Sequence, residues 1–97
     1  MIIGILKEII TEENRVAMTP GGVEVMVQNG HQVFLEKEAG KASGFQDRDY
    51  AEAGAEIVNG SSDIFSQAEM ILRVREPQPK EYERIREDQI FFNFFPA

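Results

Sequence analysis

The sequence of 97 residues has no cysteine, no tryptophan and a single histidine, His31. Without cysteine the chain can form no disulfide, thiolate nucleophile or cysteine-ligated metal centre, and it fits a reducing compartment. No apolar run approaches the roughly 18 residues of a membrane span. Lys7 and Glu8 interrupt the apolar opening too early for a signal peptide. The sequence therefore predicts a cytoplasmic protein without membrane insertion.

Positive charge is also scarce. The chain has 10 Lys and Arg against 17 Asp and Glu, which gives a formal net charge of −7. The basic residues are dispersed, so no positive stripe is available to bind a phosphate backbone or an anionic lipid surface. This argues against nucleic acid as a partner. The hydrophobic content of 42% is ordinary for one small globular domain.

Short apolar runs alternate with segments of helical pattern along the chain. A helix is predicted from Pro20, capped by Thr19, to the Asn29-Gly30 turn. Two further helices are predicted over 47–53 and 80–87, and another is predicted to begin at 61–63. The predicted strands cover 2–6, 31–36, 55–58, 70–74 and 90–95. Such short crossovers favour a parallel sheet. The predicted class is α/β, a flavodoxin-like parallel sheet of about five strands with helices on both faces.

The last seven residues are almost entirely apolar, from Phe91 to Ala97. Complete domains usually end in surface segments, so this ending predicts a piece of a longer protein, or a last strand that a partner covers. The alternative is a terminal strand that simply ends the protein.

Arginines near the predicted strand ends are the main candidates for chemistry, because open parallel sheets bind ligands beyond the carboxyl ends of their strands. Arg15 follows the first strand, and Arg73 and Arg75 lie two apart on the fourth, on one face of the sheet. A guanidinium offers a fork of donors that matches a carboxylate, so Arg15 and Arg75 together predict a site for a small acid. Alternatively, each arginine pairs with a neighbouring glutamate at the surface.

The other polar features give weaker evidence for a functional site. His31 begins a strand at the amino edge, where a structural role is expected, and Lys7 could assist Arg15 electrostatically. The loop 40–44 lacks the spacing of a P-loop, and the sequence contains no Gly-x-Gly-x-x-Gly fingerprint for a dinucleotide.

Two motifs near the amino terminus resemble a known family. They run from Gly4 to Glu8 and from Glu12 to Val23, the second reading EENRVAMTPGGV. Both are similar to the amino-terminal signature of alanine dehydrogenases and of the alpha subunit of pyridine nucleotide transhydrogenase. Further similar segments, such as Val74-Arg75-Glu76-Pro77, extend the resemblance over the whole chain.

The resemblance implies that residues 1–97 are the amino-terminal part of a substrate-binding domain in a longer enzyme. A separate Rossmann domain, absent from this chain, would carry NAD. The implied reaction converts L-alanine, NAD and water to pyruvate, ammonia and NADH, and the isolated chain is expected to be inactive. The family also implies homo-oligomers, a hexamer for the dehydrogenases and a dimer for the transhydrogenase subunits.

Two positions depart from the dehydrogenase pattern. By resemblance Arg15 binds the carboxylate of pyruvate or alanine, whereas Arg75 stands where the family has a substrate-contacting lysine. An arginine keeps the charge but cannot serve as a proton shuttle. Pro96 stands where the family's catalytic histidine is expected, so no catalytic residue is assigned with certainty, and proline can neither exchange protons nor donate a hydrogen bond. The Pro96-Ala97 ending is similar to the transhydrogenases, which leaves open a non-catalytic binding module or a transhydrogenase counterpart.

Overall fold

A computed structural model of the protein describes residues 1–8, 16–75 and 85–95, without the side chains of residues 75 and 93–95. Within these ranges five parallel strands form one sheet, in the order β3-β2-β1-β4-β5. The strands are β1 (Ile2–Ile5), β2 (Gln32–Glu36), β3 (Glu56–Val58), β4 (Met70–Arg75) and β5 (Ile90–Phe95).

The predicted α/β class and five-stranded parallel sheet are confirmed. In the centre of the sheet Ile5 is in register with Leu35 of β2 and with Leu72 of β4. The strand order reverses between β1 and β4, in the 3-2-1-4-5 pattern and not the 2-1-3-4-5 order of flavodoxin. The likeness to flavodoxin is therefore one of class and layering.

Three α-helices lie in the described ranges: α1 (Pro20–Gln28), α2 (Asp47–Glu52) and α3 (Ser61–Gln67). As predicted, the Thr19 hydroxyl caps α1 by accepting a hydrogen bond from Gly22 N at 3.3 Å. Of the predicted helix 80–87, residues 80–84 lie outside the described ranges. Residues 85–87 are not helical, because Gln89 N donates to Arg86 O at 3.1 Å and closes a turn into β5.

The helices cover both faces of the sheet. Helices α1 and α2 pack on one face, around the buried residues Ile3, Ile5, Val23, Val33, Leu35, Tyr50 and Leu72. Helix α3 packs on the other, around Leu6, Phe34, Ile64, Phe65, Ala68 and Ile71. Because neighbouring residues of a strand point to opposite faces, strands buried on both sides need the continuous apolar runs seen in the sequence.

Helix α3 lies very close to the central strand at Gly4. A Cβ added to Gly4 would stand 2.6 Å from Ile64 Cγ2 and 2.9 Å from Ala68 Cβ. The helix thereby crosses behind β1 and returns the chain from β3 to β4. This return creates the reversal of strand order that positions the candidate site.

Candidate functional site

The carboxyl ends of β1 and β4 form the reversal point of the sheet, where ligands of open α/β folds bind. The chain leaves β1 through Leu6, whose N–H donates to Leu72 O at 3.2 Å, and continues to Lys7 and Glu8. Strand β4 ends beside this segment at Arg75. The two predicted substrate arginines therefore belong to segments that start from adjacent strand ends.

A buried ion pair joins these two strand ends. Glu8 Oε1 accepts a hydrogen bond from Arg73 Nε at 3.3 Å, and the two side chains are only 5% and 1% exposed. Glu8 Oε2 accepts the N–H of Val74 at 3.0 Å, and Arg73 Nη2 lies 3.4 Å from Lys7 O. These contacts link the segment after β1 to β4 through side chains and not through backbone pairing alone.

The same segment is tied to β2 on its other side. Lys7 N donates to Glu36 Oε1 at 2.8 Å, while the Lys7 side chain is exposed. The exit from β1 is thus tied to β2 by the Glu36 carboxylate and to β4 by its own Glu8 carboxylate. The exposure of Lys7 is compatible with its predicted electrostatic role.

The segment that enters α1 is fixed by Tyr50, a residue that sequence reasoning did not single out. Its hydroxyl donates to Met18 O at 2.8 Å, and the residue is fully buried. The ring lies so close to Gly40 that an added Cβ there would be 2.6 Å from the Tyr50 ring and hydroxyl. Burial, reinforced by the carboxylates of Asp49 and Asp47, raises the pKa of Tyr50 to about 12. The only sequence signal was an aromatic residue in a short polar helix.

The structure describes only part of the predicted site. Arg15 and Pro96 lie outside the described residues, and Arg75 is described as the last residue of β4 without its side chain. Their predicted roles therefore stay predictions. Arg73, predicted on the same face as Arg75, is buried against Glu8. It therefore pairs with a glutamate, as the alternative interpretation predicts, but the pair lies in the interior and not at the surface.

The remaining candidates lie away from this point. His31 Nδ1 is 3.3 Å from the terminal amine of Met1, at the amino edge of the sheet. The loop 40–44 forms a single 3₁₀ turn, Lys41–Ser43, and borders a groove of about 400 Å³ beyond β2. In the part of the chain that the structure describes, no three His, Asp or Glu side chains are grouped as metal ligands. Nor is any described helix long and apolar enough to cross a membrane.

Comparison with known families identifies the chain. Residues 4–97 match the family model for the alanine dehydrogenase/PNT N-terminal domain. The chain belongs to this family. Alanine dehydrogenases of Methanococcus maripaludis and Bacillus subtilis are 49% and 47% identical to it over 94 residues, which is 97% of this chain and 25% of theirs.

Solved structures agree with this family in fold. An L-alanine dehydrogenase superposes with a TM-score of 0.91 at 44% identity, over 96% of this chain and 26% of that protein. A transhydrogenase from Sinorhizobium meliloti superposes with a TM-score of 0.86 at 32% identity, over 94% and 27%. The chain thus spans about a quarter of the length of its alanine dehydrogenase/PNT relatives.

Proposed function

We propose that this chain is the first segment of the substrate domain of an NAD-dependent alanine dehydrogenase, which interconverts L-alanine with pyruvate and ammonia. The observation that carries the proposal is 49% identity to an alanine dehydrogenase across 97% of the chain. The parent protein is proposed to be cytoplasmic and homo-oligomeric. NAD is assigned to the parent only, because this sequence contains no Gly-x-Gly-x-x-Gly.

In this proposal Arg15 anchors the carboxylate of pyruvate or L-alanine, and Arg75 assists. Bidentate contact with a guanidinium fixes both position and orientation of a carboxylate, which is the protein's contribution when a cofactor carries out the redox chemistry. When bound, NAD would supply the hydride acceptor. Since Arg75 stays protonated, its role is to hold a carboxylate or carbonyl oxygen, not to transfer a proton.

A second candidate is the counterpart domain of a transhydrogenase alpha subunit, or a non-catalytic module derived from this family. It is favoured by the 32% identity to the transhydrogenase of Sinorhizobium meliloti and by Pro96 at the family's histidine position. Proline there supplies no acid or base. This candidate requires no binding of a small carboxylate.

Titration of the isotopically labelled chain with pyruvate, followed by NMR, separates the two candidates. We expect saturable shifts near Lys7 and Glu8 and at the end of β4. Arg15→Ala should weaken pyruvate binding by roughly tenfold or more, since hydrogen bonds to charged groups are the stronger ones. The matched control Arg48→Ala removes an exposed arginine from α2 and should bind like the parent chain.

Two results would contradict the proposal. Absence of any response to millimolar pyruvate would favour the transhydrogenase or scaffold candidate. Reduction of NAD by L-alanine in the presence of the 97-residue chain alone would show that the chain is more than a segment of the enzyme.

A further inference from the structure

We infer that Glu8 is a positioning residue for carboxylate binding, because it fixes the carboxyl end of β4 and with it Arg75. The inference rests on the proposed function for the identity of the ligand. It rests on geometry for the role of Glu8, whose carboxylate contacts β4 at two successive residues, Arg73 and Val74, directly before Arg75.

The Glu8 carboxylate takes over where the backbone pairing of β1 and β4 stops. The last backbone bond between them runs from Leu6 N to Leu72 O at 3.2 Å. In a continued parallel ladder the N–H of Val74 would be donated to a carbonyl of β1. It is donated instead to Glu8 Oε2 at 3.0 Å, so a side chain extends the strand pairing by one more step.

The other oxygen of Glu8 secures the carboxylate itself. Oε1 accepts from Arg73 Nε at 3.3 Å, and the Glu8 side chain is only 5% exposed, so water has little access to the carboxylate. A charged and buried acceptor gives a stronger bond to Val74 N than a neutral one would. Glu8 therefore holds β4 from the β1 side at Val74, one residue before Arg75, and Arg75 itself is in register with Phe95 on β5.

A second glutamate joins the same strands at the opposite edge and provides a control for the bond from carboxylate to backbone N–H, although it is exposed whereas the Glu8 side chain is buried. Glu69 Oε1, at the start of β4, accepts the N–H of Ile2 at 2.7 Å. Glu8 and Glu69 thus each bind a backbone N–H of the neighbouring strand. Only Glu8 lies at the carboxyl edge, beside the segments of the predicted arginines, so only Glu8 should influence a carboxylate ligand.

The test compares Glu8→Gln with Glu69→Gln in the 97-residue chain, using pyruvate affinity and amide hydrogen exchange measured by NMR. Glu8→Gln should raise the Kd for pyruvate roughly tenfold and speed exchange of the Val74 amide. Glu69→Gln should change neither. In the Arg75→Gln background, Glu8→Gln should have little further effect on the Kd, because Glu8 acts through Arg75.

Unchanged pyruvate affinity in folded Glu8→Gln, or full additivity with Arg75→Gln, would overturn the inference. Should Glu8→Gln not fold, Glu8→Asp keeps the charge but withdraws the carboxylate by one methylene group, and affinity equal to the parent chain would again overturn it. If the parent chain does not bind pyruvate, the proposed function fails. Exchange of the Val74 amide then tests the contact between Glu8 and β4. Faster exchange in Glu8→Gln but not in Glu69→Gln supports this contact, and unchanged exchange in Glu8→Gln refutes it.

Discussion

At the scale of single residues, buried polar side chains hold together the segments around the site. Tyr50 illustrates how burial and chemistry combine, because its ring fills space beside Gly40 while its hydroxyl holds Met18 O. A neutral hydroxyl can be buried with one hydrogen bond, whereas the tyrosinate would lose its hydration next to Asp49 and Asp47. The fold therefore favours the protonated form.

This preference predicts a loss of stability at high pH. The unfolded chain releases the phenolic proton near pH 10, whereas the folded chain retains it up to a pKa of about 12. Between these values the folded state binds more protons, so the contribution of Tyr50 to stability falls by at most about 1.4 kcal/mol per pH unit, and the full contribution is present only below pH 10. Urea denaturation at a series of pH values measures the slope.

Tyr50→Phe should remove this part of the slope and, by deleting the bond to Met18 O, lower stability at neutral pH by about 1 kcal/mol. Tyr82→Phe leaves Tyr50 as the single tyrosine, which assigns the tyrosinate absorbance to it. Ionisation of Tyr50 at the ordinary value for tyrosine would contradict the prediction.

At the scale of elements, α3 depends on a turn that is distant in sequence. Its last carbonyls have no partner within the helix. Arg86 donates to Ser66 O at 2.6 Å and to Ala68 O at 3.0 Å, and Gln89 Nε2 donates to Phe65 O at 2.6 Å. The positive guanidinium also complements the negative end of the helix dipole. The turn before β5 thus caps the helix before β4.

Arg86→Ala is therefore expected to lower the free energy of unfolding by about 1 to 2 kcal/mol, because Ser66 O loses its charged donor and Ala68 O keeps only Gln89 Nε2. The control Arg48→Ala, on the exposed side of α2, should stay within about 0.5 kcal/mol of the parent chain. Urea denaturation of both variants makes the comparison. Equal stability of the two would show that water replaces the guanidinium at no cost.

At the scale of the whole molecule, the residues that indicate a ligand site lie at the carboxyl edge of the sheet, at the ends of β1 and β4. The reversal of strand order between β1 and β4 brings Glu8, Arg73 and the ends leading to Arg15 and Arg75 to one edge. The family relatives are about four times longer than this chain, since it covers 25% of them. Under the proposed function, the carboxylate binds at this edge and NAD binds to a part of the parent protein outside these 97 residues.

This division predicts selective binding by the 97-residue chain. Pyruvate should perturb the carboxyl edge of β1 and β4, whereas NAD at the same concentration should cause no saturable shifts, because the sequence contains no Gly-x-Gly-x-x-Gly fingerprint to hold a pyrophosphate. NMR titration with each ligand separately distinguishes the two. Saturable binding of NAD would mean that a nucleotide site exists without the fingerprint.

The sequence by itself determined the class of the fold and most element positions. Continuous apolar runs such as Ile2–Ile5 are typical of strands that are buried on both faces of a sheet. Thr19 and Pro20 start α1 through local backbone chemistry. The motifs around Arg15 and Arg75 also sufficed to recognise the family, because such signatures are linear in sequence.

Only the tertiary structure decided which side chains meet. Glu8 and Arg73 are 65 residues apart, and Arg86 reaches Ser66 across 20. These side chains come into contact only when β1 and β4 are neighbours in the sheet and α3 packs behind them. The same applies to strand order, since local pattern specifies a strand but not its neighbour. Arg73 shows the consequence: the sequence predicted it near a strand end, on one face with Arg75, and packing buried it as the partner of Glu8.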